Sequence, residues 1–406
     1  MAVPAARAEI AVFIHSPSGG GAQRRTVTLV NGFAEAGHRV ELVVVTASGP
    51  LRPDVSPRVR VVELTNWHDR HPLARLPRRV QLFLALPALA RYFRLTPPQV
   101  FLSAASHVHV PVLLAHRWAR SQVPVVLRMS NHLTRTGAGG VAPNRRVFAR
   151  RLARKLYPDS KAVIAVSQGV ADDLVHSIDY PQARVHTIYS PILTDDLRER
   201  AQMPLDHPWF AAGQPPVVLG VGRLVKQKDF PTLVRAFAMV RAVRPLRLLI
   251  LGRAKNGKRL QSLTELINEL GVAADVQLAG YVSNPAPYMK HAAMLALSSA
   301  WEGLPGVLME ALACGCPIVS TDCPSGPSEI LDGGRFGRLV AVGDDAALAR
   351  AITETLDDPP DRQMLLARAE DFGSERSIAS YLELLLRVKD TASSPSAAAD
   401  AVNARA

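Results

Sequence analysis

Two carboxylates, Glu302 and Glu310, flank Gly-Leu-Pro-Gly inside the stretch WEGLPGVLMEALACG at 301–315. On one continuous helix they would stand roughly 12 Å apart, too far to hold one small group. Pro305 favours the first turn of a helix, and Gly303 and Gly306 let the chain bend, so Glu302 belongs to a loop and Glu310 to the helix after it. If the loop folds back over the helix end, both carboxylates can face one ligand beside free backbone N–H groups. Carboxylates accept paired hydroxyls, as on a ribose or a hexose, and a helix N-terminus takes phosphate. An anion site flanked by hydroxyl acceptors suits a sugar nucleotide.

Three other loops follow apolar, β-rich runs and offer anion sites. In HSPSGGGAQRRT (15–26), Gly19, Gly20 and Gly21 allow close backbone approach at the start of a helix. This is not the dinucleotide fingerprint, because the third glycine would fall on Arg24. In GVGRLVKQKDFPTL (220–233), Arg223 and Lys228 sit five residues apart beside Gly222 on a strand-to-helix loop, a fork and a point charge able to clamp a diphosphate, with Lys226 a weaker third. In GRAKNGKR (252–259) the pattern approaches a P-loop but ends on Arg259, where Ser or Thr must supply the hydroxyl for Mg²⁺.

These loops need strands and helices to carry them. In the first half IAVFI, VELVVV, VRVVEL, VFLS, VVLRM and AVIAV alternate with helical patterns; in the second PVVLGVG, LRLLIL, DVQLAG, MLALS and PIVST do the same. That alternation predicts an α/β chain of parallel βαβ units in two doubly wound, Rossmann-like domains, with ligands in the cleft beyond the strands' carboxyl ends. The expected boundaries are 1–190 for the first domain, 191–214 for a polar, Pro-rich linker and 215–372 for the second domain. A final helix at 373–390 can pack back on either domain and is assigned to the first, and 391–406 forms a disordered tail.

Composition narrows the class. With 406 residues, 48% apolar, the chain can bury two cores. The apolar run before His15 is too short for a signal-peptide core, the longest run, around LFLALPALA, is far below a membrane span, and three cysteines, Cys314, Cys316 and Cys323, suit a reducing cytoplasm better than a disulfide framework. The net charge of +13 invites an anionic partner. Segments 74–94 and 144–157 carry Arg beside Leu and Phe with no acid, which suggests peripheral contact with anionic lipid at the inner face of the cell membrane. Nucleic acid is not expected, since aromatics make up only 5% and no recognition motif of that class occurs.

The segments SSAWEGLPGVLMEALACGCPIVSTDCPSGPSEIL, VGRLVKQKDFPTLVRAF and LAGYVSNPAPYMKHA strongly resemble family 4 retaining glycosyltransferases of the GT-B fold, in their Glu-x7-Glu form. The resemblance covers essentially all of the second half; in the first it rests on the glycine loop, AVIAVSQGVADDL and the overall alternation. It implies a first domain that binds the acceptor and a second that binds the nucleotide sugar. Arg223 and Lys228 would hold the diphosphate, Glu310 the ribose hydroxyls and Glu302 the donor sugar. The amides from Gly303 through Leu304 and Pro305 to Gly306 would line the donor sugar and phosphate, Tyr281 and Val282 would meet the base through their backbone, and Gly19–Gly21 would face the diphosphate and acceptor.

No D-x-D occurs, so the implied catalysis needs no metal and no cofactor beyond a nucleotide-sugar substrate, UDP-linked by family expectation. Family members often place a His on a first-domain strand end; VVLRMSNHLT offers Arg128, Ser130, Asn131 and His132, and SAASHVHVP offers His107 and His109, of which His132 and His107 are favoured. TDCPSGPSEIL resembles bacterial members that build surface polysaccharide, which implies a lipid-linked or lipopolysaccharide-type saccharide acceptor. The competing readings are an inactive sugar-nucleotide-binding scaffold and a P-loop phosphotransferase.

Overall fold

The computed structural model describes residues 8–65, 72–134, 143–194, 196–254 and 257–393. The chain divides into two compact units, one holding the residues up to Val166, Val170–Pro191 and those from Glu375, the other Ser167–Gly169 and Ile192–Ser374.

The first unit runs β1 (Glu9–Ile14), α1 (Gly21–Glu35), β2 (Arg39–Val44), β3 (Val59–Glu63), α2 (Arg78–Leu84), α3 (Leu86–Leu95), β4 (Val100–Ser103), α4 (His109–Ala119), β5 (Val125–Met129), α5 (Pro143–Leu156), β6 (Ala162–Ala165), α6 (Gln168–Ile178) and β7 (Val185–Thr187). Its seven strands are all parallel in the order β3-β2-β1-β4-β5-β6-β7. β4, β5 and β6 are buried at every position, which is why their sequences read as nearly continuous apolar runs, interrupted only by Ser103 and Arg128. β7 has no fully buried residue and no such run, and the alternation gave no signal for it.

The second unit runs α7 (Asp196–Gln202), β8 (Val217–Val221), α8 (Phe230–Arg241), β9 (Arg247–Leu251), α9 (Gly257–Glu269), β10 (Val276–Gly280), α10 (Ala286–His291), β11 (Met294–Leu297), α11 (Gly306–Ala313), β12 (Ile318–Thr321), α12 (Pro327–Ile330), β13 (Arg338–Val340), α13 (Asp345–Asp357) and α14 (Arg362–Ala369). Six parallel strands follow the order β10-β9-β8-β11-β12-β13. Counted from β8, this is the 3-2-1-4-5-6 winding of a Rossmann sheet, and its order reverses between β8 and β11. The stretch 191–214 is not featureless: it carries α7, which packs on α10.

The last helix, α15 (Ser374–Ser393), enters the core of the first unit through Tyr381, Leu382, Leu384, Leu385 and Val388. Gly32 on α1 permits this: a Cβ there would lie 2.4 Å from Ile378 Cδ1. The helix includes residues 391–393 of the stretch read as a tail; 394–406 lie outside the described residues.

Candidate functional site

The switch point of the second sheet fixes where a site can form, because the loops after β8 and β11 leave the sheet side by side there. The β8 loop passes Gly222 and Arg223, makes a short 3-10 turn at Lys226–Lys228 and enters α8 through Asp229. The β11 loop runs from Ser298 to Pro305, the N-cap of α11. The two loops are zipped together: the Ala300 amide donates to the Gln227 carbonyl (2.8 Å) and the Ser298 hydroxyl to the Lys228 carbonyl (2.9 Å).

Between them lies an ion pair. Lys228 Nζ is 2.7 Å from Glu302 Oε1, and both side chains are largely buried. The Ser299 hydroxyl also donates to Glu302 Oε1 (2.7 Å), and Gln227 Nε2 donates to its Oε2 (3.2 Å). A cation and two neutral donors thus surround this buried carboxylate and offset the cost of taking it out of water. Lys228 in turn packs across Gly222, where a Cβ would come within 2.9 Å of Lys228 Cε. Arg223 stands apart: it is exposed, and its side chain has no hydrogen-bond or ion-pair partner among the described residues.

Glu302 is in the loop and Glu310 in the second turn of α11, with Gly303, Leu304, Pro305 and Gly306 all buried between them. Ser325, beyond β12, fastens this loop by donating to the carbonyls of Glu302 (3.0 Å) and Gly303 (3.1 Å). Glu310 is half-buried.

The loops after β8, β9 and β10 are stitched in series: Gly222 N to Leu251 O (2.9 Å), Leu224 N to Arg253 O (3.1 Å) and Gly252 N to Gly280 O (2.7 Å). Only glycine fits at 252, since a Cβ would lie 1.7 Å from the Gly222 carbonyl oxygen. This also explains why GRAKNGKR only looks like a phosphate cradle. A P-loop keeps its amides free, whereas the Gly252 amide is spent on Gly280; Lys255 and Asn256 lie outside the described residues. Beyond Gly280, Tyr281 is exposed and Val282 half-buried, so solvent reaches the segment expected to meet a base.

In the first unit, Gly19, Gly20 and Gly21 are exposed between β1 and α1, with Gly20 the N-cap of α1 and no side chain capping it. His107 lies in the turn after β4; although solvent reaches it, desolvation of the ring and then the Arg78 and Arg79 guanidiniums hold its pKa below the ordinary value. His132, after β5, is buried, with Nδ1 3.4 Å from Asp173 Oδ1 on α6. Asp173 also accepts from the Leu133 amide (2.6 Å) and the Thr134 hydroxyl. Burial alone would raise its carboxyl, but the hydrogen bonds from His132 and Thr134 outweigh burial and hold it below the usual carboxylate range.

Sequence reasoning did not single out Asp173, Ser299, Gln227 or Ser325. All four lie inside quoted motifs or next to them, but their partners are 3 to 75 residues away and only the fold joins them. Arg128, offered by the same strand end as His132, is fully buried and bonded to Tyr381, Ser190 and the Ala104 carbonyl, which removes it from any site.

Both units are doubly wound parallel sheets, and the second carries a cationic loop and a paired glutamate at its switch point, the construction of the GT-B class of glycosyltransferases. Residues 206–372 match the family described as glycosyl transferases group 1, and residues 19–196 match glycosyltransferase family 4. The chain belongs to the family 4 glycosyltransferases of the GT-B fold. Over 356 residues, 86% of this chain and 90% of the relative, it is 25% identical to the N-acetylgalactosamine-N,N'-diacetylbacillosaminyl-diphospho-undecaprenol 4-alpha-N-acetylgalactosaminyltransferase of Campylobacter jejuni. It is 34% identical to the lipopolysaccharide core biosynthesis glycosyltransferase LpsE of Rhizobium meliloti over 42% of this chain and 49% of that one. Among solved structures, Anabaena HepE in complex with UDP and glucose superposes with a TM-score of 0.72 at 19% identity, covering 94% of this chain and 100% of that one.

Proposed function

We propose that this glycosyltransferase is retaining and metal-independent, and moves a hexose or N-acetylhexosamine from a UDP-linked donor to a lipid-linked or lipopolysaccharide-type saccharide acceptor. The observation that carries the donor side is that exposed Arg223, unpartnered among the described residues, shares one pair of zipped loops with the Lys228–Glu302 ion pair. The solved HepE complex contains UDP and glucose, which supports UDP as carrier. The Campylobacter relative is named for a diphospho-undecaprenol acceptor and LpsE for lipopolysaccharide core biosynthesis, which supports the acceptor class.

As the bond to the leaving diphosphate breaks, negative charge grows on its oxygens. Arg223 and Lys228 meet that charge with cations already in position, and the α11 N-terminus adds backbone N–H groups, so no metal is required. Glu302 then accepts from the donor sugar's hydroxyls and Glu310 from the ribose, while the backbone at Tyr281 and Val282 reads the base. The glutamates hold hydroxyls and are not an acid/base pair of the hydrolase kind. From the first unit, Gly19–Gly21 serve the diphosphate and acceptor, and His132, with His107 second, serves the reacting sugar. A lipid-linked acceptor also calls for peripheral association at the cytoplasmic face of the membrane; among the described residues no helix is long and apolar enough to cross one.

The test is to incubate the protein, with and without EDTA, with a panel of UDP-, GDP- and ADP-sugars and follow nucleotide release and thermal stability. One UDP-sugar should raise stability by about 2.7 kcal/mol at a hundredfold excess over its Kd and be slowly hydrolysed regardless of EDTA. A shift without nucleotide release would favour the inactive sugar-nucleotide-binding scaffold, absence of any shift would count against the donor site itself, and hydrolysis abolished by EDTA would overturn metal independence.

A further inference from the structure

The chain's positive charge is not spread over it. Between Asp69 and Asp159 the sequence has no acidic residue and carries 16 Arg and Lys; the remaining 32 Lys and Arg stand against 35 Asp and Glu. The whole surplus therefore belongs to one part of the first unit, the part that forms α2, α3, α4 and α5.

Within it, two helical surfaces differ. On α5 and its surroundings acids from outside the stretch neutralise some of the charge: Arg154 pairs with Asp179, and Arg117 with Asp159. On α2 and α3 nothing of the kind occurs among the described residues. Arg78, Arg79 and Arg91 are exposed without an ion-pair partner, and Arg94 donates only to the Trp118 carbonyl (2.6 Å). The same surface exposes large apolar side chains that a solvated helix would turn inward: Val80 (42%), Phe83 (52%), Leu84 (46%) and Leu95 (64%), with Trp118 (55%) beside Arg94. The opposite face, Gln81, Leu82, Leu89, Ala90, Tyr92 and Phe93, is buried, so both helices are seated and the exposed apolar groups are not waiting to join the core.

We infer that the exposed face of α2 and α3 is a docking surface for an anionic phospholipid bilayer, with Phe83 and Leu84 entering the headgroup–acyl boundary and Arg78, Arg79, Arg91 and Arg94 meeting the phosphates around them. Charge complementarity selects this occupant. Apolar groups ringed by unpaired guanidiniums suit a surface that is apolar beneath and anionic on top, and an aromatic at the rim suits the interface. An apolar protein partner would leave the guanidiniums unmatched at its edge.

This surface is mechanically joined to the loop that the proposed function uses. Gln81, on the buried side of α2, donates through Nε2 to the Leu76 carbonyl (2.8 Å), so its Oε1 accepts from His15 Nε2 (2.9 Å) at the end of β1. His15 is buried, and burial, then Arg78 and His107, hold its pKa at about 4 against the opposing Gln81 bond, so the ring is neutral and the link survives at physiological pH. Four residues on, the Gly19–Gly21 turn begins. A bilayer held by α2 is thus held in a fixed relation to the loop expected to face the acceptor, which is where a saccharide on a lipid tail must arrive. The inference deepens the lipid-linked reading and rests on it for that purpose alone.

The experiment sediments the full chain with vesicles of phosphatidylcholine, with and without one quarter phosphatidylglycerol, in the absence of any nucleotide sugar or saccharide acceptor. Binding should require phosphatidylglycerol and weaken with added salt. Phe83→Ser/Leu84→Ser and Arg78→Glu/Arg79→Glu should each lower partitioning on the order of tenfold or more, Arg78→Lys/Arg79→Lys should retain it, and Arg150→Glu/Arg151→Glu on α5 should change it less than either α2 pair. All the substituted side chains are exposed, and unchanged melting curves confirm folding. No binding, equal binding to both vesicles, or binding lost through the α5 pair but not the α2 pairs overturns the surface. Binding that survives Phe83→Ser/Leu84→Ser overturns it too, leaving only a diffuse electrostatic contact. None of these outcomes depends on sugar transfer, so failure of the surface and failure of the proposed function are read separately.

Discussion

Lys228 Nζ lies 2.7 Å from Glu302 Oε1, joining a residue expected to hold the donor's diphosphate to one expected to hold its sugar. The two roles are compatible because each group has capacity to spare. The ammonium has two further donors, and the carboxylate, with Ser299 and Gln227 also attached, keeps one lone pair, on Oε2, for a hydroxyl. The pair preorganises both groups at their stations before substrate arrives. Removing one partner leaves a largely buried charge with less compensation, so Lys228→Ala should cost about 3 kcal/mol of stability as well as roughly 10² to 10³ in turnover. Urea unfolding beside steady-state kinetics checks both; a variant as stable as the parent would show that the pair carries no structural charge balance.

Arg223 makes the contrasting case. Its guanidinium is exposed and unpartnered among the described residues, so Arg223→Ala should leave stability within about 0.5 kcal/mol. Turnover should still fall roughly 10² to 10³, with the donor's KM much less affected, since the charge it meets develops chiefly as the bond breaks. Unchanged turnover would remove it from the reaction.

The proposed function gives Glu310 a part in binding. Half-buried on α11, it should act on a ribose that does not change during transfer. Glu310→Ala should therefore weaken UDP binding about 10- to 100-fold while turnover at saturation changes little. Calorimetric titration with UDP alone tests this without any acceptor, and an unaltered affinity would reject the role.

Much of this site was legible because its parts are local. Gly-Leu-Pro-Gly forces the loop-then-helix form that separates Glu302 from Glu310, and the spacing of Arg223 and Lys228 sits on one strand-to-helix loop. The buried parallel strands announced themselves as apolar runs. β7 and β13 did not: each is three residues long with no fully buried position, so burial leaves no pattern to read. The pairings that fix the site were also out of reach. Gln227 and Lys228 meet Glu302 from 75 and 74 residues away, and His132 meets Asp173 across a connection that contains α5. Spacing along a chain records such contacts only when one element carries both partners.

The Asp173–His132 contact makes a pH prediction whose sign is fixed. The Asp173 carboxyl is held below its ordinary value in the folded chain, so its contribution is fully present above the usual carboxylate range and is lost as pH falls through the folded value. The stability gap between the parent and Asp173→Asn should be constant above about pH 5 and close progressively below about pH 4. Denaturant unfolding across that range measures it, and a gap that widens on acidification would contradict the assignment. Asp173→Asn should also lower turnover if His132 serves the reaction, because the amide no longer fixes the ring; His132→Ala, folded but fully active, would remove both residues from catalysis.

Arg128 shows what holds the last helix in place. Its guanidinium is fully buried, yet its partners among the described residues are all neutral: Nε donates to the Tyr381 hydroxyl (2.9 Å), Nη2 to Ser190 (2.7 Å) and Nη1 to the Ala104 carbonyl (3.3 Å). A buried cation without a carboxylate depends on every one of these acceptors. Tyr381→Phe keeps the ring's packing and deletes one acceptor, so it should cost about 1–3 kcal/mol and speed hydrogen exchange in α15 before the rest of the first unit. UDP affinity, which the proposed function assigns to residues of the second unit, should stay within about twofold. If Tyr381→Phe is as stable as the parent, the guanidinium has found another acceptor and α15 is held by Leu384, Leu385 and their apolar neighbours alone; Leu385→Ala should then be the costlier change, at about 2–5 kcal/mol.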